Sequence, residues 1–380
     1  MDKKILAILL VFIPLISYSQ DLPENDLQVN FNGYFDNFRV NVFYPSININ
    51  RSLDKNTSIS AGYLVDAISA ASMKMVFRVD GVTSATNNTN GGADKFPHEL
   101  RHQINLGLSR LIAGTVFSAT GMYSIEHDYS AKTFAANLSI PLAKKNATLQ
   151  FGYTGNWDKI FPRNKYWEKN RNTTSFNIGF SQILAKNLIT QLDLSYIDVN
   201  GYMLDGYQVV RMIYNGALNI LEPVEPDRII RKAAGLRTNI GISKLSTLMF
   251  GYRYYWDTWD INSHTIDAEF KTHLADWINM SLGARQYFQT KAFFFKPEYT
   301  QPETFMGVEG SLNSGYTNTL SLGFTFTGNK SLSIPFLTSD KVSLITKLQF
   351  YHRRTDSPDW VMQLNDLYAY ILTFGFKFLL

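Results

Sequence analysis

Apolar and polar residues alternate along most of the chain, and the closing stretch shows the pattern most clearly. From Tyr368 to Leu380, aromatic and aliphatic side chains take nearly every second position, with Thr373, Gly375 and Lys377 between them. A period of two predicts a β-strand, because successive side chains point to opposite faces. An apolar face that runs to the end of a chain must lie against a core or a lipid bilayer.

The same alternation recurs upstream, between connections of two lengths. Strand patterns occupy 59–67, 117–125, 248–256, 266–274, 320–326 and 342–350. Short connections lie near 51–56, 111–114, 142–146, 185–187, 244–246 and 275–277. Long polar ones lie near 79–97, 157–172, 200–231, 290–312 and 354–366, and brief turns near 126–129 and 257–263 share their side. Short periplasmic turns and long external loops predict an all-β, transmembrane, antiparallel up-and-down β-barrel.

The strand number follows from closure. An odd number of clear strands begins at Phe38, whereas bacterial single-chain barrels have an even number. The segment 27–36 is therefore predicted to be a short first strand that closes against the last one. We expect sixteen strands, with fourteen as the alternative. The segment 207–217 is predicted to be a locally ordered part of an external loop, because a membrane strand there would break the alternation of turns.

The amino terminus predicts export. Lys3 and Lys4 precede an apolar stretch over 5–16, and small residues follow at Ser17 and Ser19. This order is typical of a secretory signal peptide, here 1–19, cut after Ser19 or Gln20. The alternative, a membrane anchor helix, would need a longer apolar stretch. Residues 20–380 are then predicted to form a single barrel domain, which is exported through the periplasm and inserted into the outer membrane of a Gram-negative cell.

Composition agrees with a membrane barrel and limits its partners. Charged residues make up 18% of the chain, below the roughly 25% of soluble domains, and aromatic residues make up 14%. Aromatic girdles at the two bilayer interfaces would use that excess. The net charge is only +4 and the sequence has no run of basic residues, so no nucleic-acid partner is predicted. The chain has no cysteine, which excludes disulfides and a lipoprotein anchor.

The predicted partners are outer-membrane lipid, lipopolysaccharide and the barrel-assembly machinery. In outer-membrane barrels the last strand is the signal that this machinery reads. Its predicted residues here are Phe374, Phe376, Phe378 and Leu380. Leu380 stands where phenylalanine or tryptophan is more usual, so recognition would depend mainly on the three phenylalanines.

A set of charged and polar residues is predicted to face the lumen. Its members are Asp66, Arg101, Glu126, Asp128, Arg253, Asp257, Asp260, His264, Asp267, Glu269, Arg285, Gln289 and Arg353. Nine of them are predicted to converge near the external mouth, namely Asp66, Glu126, Asp128, Arg253, Asp257, Asp260, His264, Arg285 and Gln289. Two interpretations stay open: a salt-bridge network inside a partly filled barrel, or a polar constriction that selects solutes. Because the charges are balanced in number, the second interpretation predicts mixed ion selectivity.

Catalytic and metal sites are not predicted. Glu126 and His127 are neighbours on a strand and point to opposite faces, so they cannot form an acid–base pair. No nucleophile elbow, HExxH motif or glycine-rich phosphate loop occurs, which leaves a hydrolase on the barrel rim as a weak alternative. Asp128, Asp257, Asp260 and His264 could supply metal ligands, but a solvated hydrogen-bonded rim is the favoured interpretation. No cofactor is predicted.

Four motifs resemble one family. VDAISAAS (65–72), EHDYS (126–130), YRYYWDTWDINSHT (252–265) and RQYFQTKAFFF (285–295) are similar, in this order, to an uncharacterised domain-of-unknown-function family of Gram-negative outer-membrane β-barrels. The resemblance covers about 38–380, and 71–73 depart from a Ser-Pro usual in the family. It implies no substrate. Association of family genes with flavin-attachment and thioredoxin-like periplasmic proteins implies a redox-linked or metal-linked envelope role.

Two functions of different classes follow. The first is a porin-like channel for small solutes with a charged polar lumen. The second is a non-conducting structural or interaction subunit of an envelope complex, whose lumen is blocked and whose loops bind a partner. Conductance, and the course of the long loop over 200–231, separate the two hypotheses.

Overall fold

The structure is a computed structural model that describes residues 22–38, 40–68, 99–204, 206–329, 337–356 and 365–380. Three predicted features lie outside the described residues: the signal peptide (1–19), the long loop over 79–97, and residues 71–73, which differ from the Ser-Pro usual in the family. The described part of the chain contains no helix that is long and apolar enough to span a membrane.

Within the described ranges, nineteen β-strands follow the alternating pattern. The first ten are β1 (Asp26–Asp36), β2 (Asn41–Phe43), β3 (Ser46–Asp54), β4 (Thr57–Ile68), β5 (Glu99–Ile112), β6 (Thr115–Ile125), β7 (Tyr129–Leu142), β8 (Ala147–Ile160), β9 (Lys169–Ala185) and β10 (Leu188–Gly201). The others are β11 (Val210–Tyr214), β12 (Ala217–Leu221), β13 (Arg228–Gly241), β14 (Ser246–Asp257), β15 (Asn262–Ala275), β16 (Ile278–Gln289), β17 (Gly315–Thr327), β18 (Val342–Thr355) and β19 (Asp366–Leu379).

The strands close into one antiparallel barrel. Sequential neighbours pair around the wall, and β1 pairs with β19 from Asp26↔Leu379 to Asp36↔Ala369. β2 and β3 are one wall strand interrupted before Ser46, at Pro45, which has no N–H to donate. The seventeen-stranded sheet is therefore a sixteen-stranded barrel, which confirms the predicted fold, strand number and closing seam.

The two barrel ends differ in their connections. We call the end with the 161–168, 202–227 and 290–314 connections the long-loop end, and the opposite end the short-turn end. The strand pair β11–β12 stands apart from the wall in the 202–227 connection, as predicted for 207–217. One connection differs from the prediction, because 328–341 joins β17 to β18 at the short-turn end and is long.

The wall separates apolar from polar side chains. Leu106 and Leu320 are 64% and 59% exposed on the outer face, because the barrel offers them no partner there. Asparagine, glutamine, serine and threonine line much of the inner face. Glycine makes room for them: a Cβ at Gly62 would overlap the side-chain amides of Asn48 and Asn105 on the flanking strands. An apolar exterior around a polar interior suits a lipid-embedded barrel.

Aromatic and basic residues share the outer face near the long-loop end. Lys132 on β7 lies opposite Tyr123 on β6 and Trp157 on β8. Lys232 on β13 has the same kind of position, with an aromatic residue on each neighbouring strand. Amphipathic side chains of these types are enriched where a bilayer meets water, so this belt marks one expected interface.

Candidate functional site

A buried ionic cluster occupies one wall of the lumen. Asp66 on β4 lies directly opposite Arg101 on β5 and forms an ion pair with it. Glu126, just after β6, lies 4.0 Å from Arg101 between Oε1 and Nη1. The Asp66 and Glu126 side chains are only 3% and 4% exposed. Two acids thus share one base out of contact with bulk water, an arrangement suited to holding the wall together.

A second buried pair lies further round the same side. Asp158 Oδ2 on β8 accepts a 2.8 Å hydrogen bond from Nε of Arg171 on β9, and Nη2 of the same guanidinium lies 2.8 Å from Oδ2 as an ion pair. Arg171 Nη1 also donates to the Met203 carbonyl at 3.5 Å. The alternation pattern does not predict this pair, because the polar residues over 157–172 resemble a loop, whereas β8 extends to Ile160 and β9 begins at Lys169. Asp158 stands two residues after Asn156, and this period-two spacing was the signal that could have placed it on the inner face of a strand.

A third charged group lies across the lumen and is open to water. Arg285 Nη2 on β16 is 4.0 Å from Asp267 Oδ1 on β15, and Lys271 Nζ is 3.2 Å from Glu269 Oε2. The Arg285 and Lys271 side chains stay 43% and 60% exposed although they point inward. This exposure indicates water-filled space in front of that wall.

The predicted charges therefore form two groups instead of one cluster. Asp66 and Glu126 face inward from β4 and the end of β6, whereas Arg253 and Arg285 face inward from β14 and β16. Five wall strands separate the groups in either direction: β7 to β10 with β13 one way, and β17 to β19 with β1 and the β2–β3 strand the other way. Alternation gives the face of each side chain correctly, but it does not tell which strands meet across a barrel.

The remaining predicted site residues have other roles. Asp257 accepts hydrogen bonds from the backbone N–H groups of Trp259 (2.8 Å) and Ile261 (3.1 Å), so it orders the β14–β15 turn. Asp260 lies in that turn with φ of 65° and an exposed side chain. His264 is on the outer face, where its Nδ1 is 2.8 Å from the Tyr252 hydroxyl. Asp260 and His264 therefore lie outside the lumen, whereas Asp257 faces inward at the rim, where the turn N–H groups and the Tyr255 hydroxyl bind its carboxylate.

Arg353 and Gln289 lie at the inner rim. Arg353 on β18 is within electrostatic reach of the Tyr34 and Tyr351 hydroxyl groups. Gln289 ends β16, and its Nε2 donates to the carbonyls of Ser311 (2.8 Å) and Asn313 (2.6 Å). Gln289 thus fastens the start and end of the 290–314 connection to each other.

Two loops pack together at the long-loop end, and we call them the lid: residues 202–204 and 206–227 with residues 290–314. Val224 and Met306 exchange backbone hydrogen bonds of 2.9 and 2.8 Å. Their apolar side chains pack in two clusters, the first with residues of the barrel rim and the second between the two lid loops. These contain Val199, Met203, Ile229, Trp259, Ile261, Ala292, Phe294, Phe295 and Leu312, and Val210, Met212, Tyr299 and Met306.

Tyr299 orders the second lid loop from within. Its hydroxyl accepts a 2.9 Å hydrogen bond from the Gly307 N–H and lies 3.1 Å from the Phe294 carbonyl, to which it donates. Burial raises the pKa of the Tyr299 hydroxyl, so the proton needed for donation is retained. The loop is therefore a folded unit with its own buried polar centre.

Consecutive residues of the first lid loop contact two connections that begin on opposite sides of the mouth, the β6–β7 turn and the second lid loop. The Tyr207 hydroxyl donates to Asp128 Oδ2 at 2.7 Å, and Asp128 lies in the β6–β7 turn. Gln208 Nε2 donates to Glu309 Oε1 at 3.1 Å in the β16–β17 connection. Eight wall strands separate these two connections in each direction around the barrel. They are β7–β10 with β13–β16 in one direction, and β17–β19 with β1–β6 in the other, where β2 and β3 count as one strand. The lid therefore crosses the mouth.

One histidine–carboxylate pair lies away from the lumen. His352 Nε2 is 2.7 Å from Asp366 Oδ1, and the imidazole stacks on Tyr368 with ring centroids 4.4 Å apart and an interplanar angle of 5°. Both aromatic rings are on the outer face of β18 and β19, opposite each other in the sheet. The pair belongs to the aromatic belt, so it does not supply the rim cleft that a hydrolase would need.

Fold and lumen together define a β-barrel of the outer-membrane class. The chain belongs to the family described as "Protein of unknown function (DUF3570)", whose model matches residues 18–333. This confirms the resemblance drawn from the four motifs. A search of curated proteins found no match.

Solved structures of outer-membrane barrels are similar in fold. A "Bacterial polysaccharide outer membrane secretin" has 9% identity and a TM-score of 0.53, over 94% of this chain and 100% of its own. OpdK of Pseudomonas aeruginosa, solved with vanillate, has 10% identity and a TM-score of 0.48, over 93% and 98%. The siderophore receptor PirA of Acinetobacter baumannii has 10% identity and a TM-score of 0.45, over 88% of this chain and 54% of the receptor. The chain thus spans about half of that receptor. The likeness to the secretin, at 9% identity, shows the fold alone.

Proposed function

We propose that this protein is an outer-membrane channel for small polar solutes, with entry restricted by the lid. The observation that carries the proposal is the solvent exposure of Arg285 and Lys271. Their side chains point inward from the barrel wall and remain 43% and 60% exposed. A barrel packed with side chains would bury such groups. Water in front of a polar wall is the condition for solute passage.

The lid limits how freely solutes would enter. It is fixed at Asp128 on one side, and on another its Phe294 packs against Trp259 of the β14–β15 turn. A mouth crossed by folded loops favours small, infrequent conductance steps over the large steps of an open pore. The channel would be closed or narrow when the lid is in place and wider when a lid contact is lost.

Planar-bilayer recording of the purified protein tests this proposal. Discrete current steps that scale with protein added support a channel. A silent protein that is folded, as shown by a heat-dependent shift on denaturing gels, would exclude it. A liposome-swelling assay with neutral sugars of increasing size then gives the width of the passage.

The second candidate is a non-conducting interaction subunit, and the crossing lid favours it. The β11–β12 pair carries Ile213 and Leu218, which lie opposite each other and are 74% and 67% exposed. Deletion of 210–221 separates the candidates. A blocked barrel whose loops bind a partner would lose that partner without gaining current, whereas a lidded channel would gain current.

Location and assembly form part of the proposal. We place the barrel in the outer membrane after export through the periplasm and removal of residues 1–19. The outward row Phe374, Phe376 and Phe378, with Leu380, would be read by the barrel-assembly machinery. Replacing Phe376 with serine should reduce the folded protein recovered from outer membranes, whereas replacing inward Thr373 with serine should not.

A further inference from the structure

Four cations form a line down one wall of the lumen. They are Arg253 on β14, Arg285 on β16, Lys347 on β18 and Lys271 on β15. Arg285 is within electrostatic reach of both Arg253 and Lys347, and Lys347 is also within reach of Lys271. Arg253 is nearer the long-loop end and Lys271 nearer the short-turn end. The line therefore follows the direction of transport.

Three acids accompany this line without cancelling it. Asp267 is 4.0 Å from Arg285, at the limit of an ion pair, and Glu269 is 3.2 Å from Lys271. Asp193 accepts a 2.7 Å hydrogen bond from Gln191. Bases outnumber acids on this wall, since Arg231, Arg237 and Arg353 also face inward and only Asp257 adds to the acids.

Four acids on the other side of the lumen are withdrawn from the lumen water. Asp66, Asp128 and Asp158 are each 2–3% exposed, and Glu126 is buried beside Arg101. Their partners are Arg101, the Tyr207 hydroxyl and Arg171. The near balance of charges in the sequence is therefore not a balance of accessible charges.

Across the lumen, the stretch of wall between the buried charges and the short-turn end is neutral and polar. Its inward residues include Asn30, Asn48, Asn105, Asn137, Gln150 and Asn177. Amides offer both donors and acceptors and set no preference for either sign. The charges that line the lumen act most strongly on a permeating ion, and the accessible ones are on the basic wall. The basic wall therefore sets the sign of the electrostatic potential that a solute meets in the lumen.

We infer that the basic wall binds and conducts small organic oxyanions, that is, carboxylates or phosphates. This inference rests on the proposed channel function and specifies its solute class. Guanidinium groups such as those of Arg253 and Arg285 bind carboxylate and phosphate oxygens in a planar, bidentate way. The lysines below would receive the anion as point charges, so that successive weak sites carry it along the wall.

Reversal potentials across a KCl gradient test the sign of selectivity. We expect the wild-type channel to prefer chloride over potassium. Arg285→Gln with Lys347→Gln should reduce the ratio of anion to cation permeability by about threefold or more, as expected when charges that set the lumen potential are removed. Arg51→Gln, an exposed position on β3, is the matched control and should leave the ratio unchanged. Clear steps with a preference for potassium would overturn the inference and leave the channel proposal standing.

Calorimetric titration of the detergent-solubilised protein tests binding without current. Citrate represents carboxylates and inorganic phosphate represents phosphates. Binding of either probe that weakens about three- to tenfold in Arg285→Gln supports the inference, and the tighter probe identifies the oxyanion. If the protein binds a probe but shows no conductance, the proposed channel function is overturned, whereas the anion-binding site is supported. Absence of binding by both probes, with chloride and potassium passing equally, would overturn the inference.

Discussion

The Tyr207 hydroxyl donates a 2.7 Å hydrogen bond to Asp128 Oδ2, and both residues are buried. The two residues belong to connections that lie several strands apart on the barrel rim. The same hydroxyl accepts a 3.0 Å hydrogen bond from the Arg163 N–H. One phenol thus joins three connections at the mouth, which makes it the most informative single lid contact to remove.

Tyr207→Phe should loosen the lid. A hydrogen bond to a charged group contributes roughly 1.5–3 kcal/mol, and loss of this one leaves buried Asp128 short of a donor. The equilibrium between closed and open lid should shift by about tenfold or more. Single-channel recording should show a higher open probability. Tyr214→Phe on the exposed hairpin is the control, and equal open probabilities in both variants would contradict a lid held by Tyr207.

Arg101→Met should destabilise the barrel. The change leaves the Asp66 and Glu126 carboxylates buried without their shared base, which costs roughly 3–5 kcal/mol. The heat-dependent shift on denaturing gels should occur at a clearly lower temperature than in wild type. Lys55→Met, in the exposed β3–β4 turn, should be neutral. Adding Asp66→Asn and Glu126→Gln to Arg101→Met should restore much of the loss, and failure to restore it would argue against the buried-charge explanation.

Gly201→Ala should disturb the junction between β10 and the lid. Gly201 has φ of 116°, and a Cβ there would overlap the Asn170 carbonyl oxygen and lie 3.0 Å from the Arg171 Cα. Both the strained backbone and the clash are destabilising, by roughly 1–3 kcal/mol together. Gly121→Ala is the matched control, because a Cβ there meets nothing within 4 Å. Urea unfolding in vesicles should separate the two, and equal midpoints would contradict this account.

The wall could be predicted from sequence because one face of each strand must meet lipid. That requirement produces a period of two, and the even strand number then identified 27–36 as the strand that pairs with β19. The face of Asp66, Arg253 and Arg285 followed from the same rule. These are properties of single strands and of closure, which a linear pattern records.

The lid and the division of charges could not be predicted in this way. Tyr207 and Asp128 meet because two connections fold over the mouth, and no periodicity relates them. Asp158 and Arg171 were missed because polar strand ends beyond the bilayer resemble loop sequence. His264 continues the outward row of β15, but its polarity suggested a lumen position, whereas a membrane interface accepts histidine beside tyrosine.

A pair of adjacent substitutions tests which face of the wall meets lipid. Leu320 is 59% exposed on the outer face of β17, near the middle of the strand, and Ser321 points inward opposite Gly283. Leu320→Lys would place a charge in hydrocarbon, which costs roughly 2–4 kcal/mol at the bilayer midplane. Ser321→Lys would extend into lumen water, with Gly283 leaving room beside it, and should cost less than about 1 kcal/mol. Urea titration of folding into lipid vesicles measures both. Equal costs, or a greater cost for Ser321→Lys, would show that the apolar face of β17 does not meet lipid.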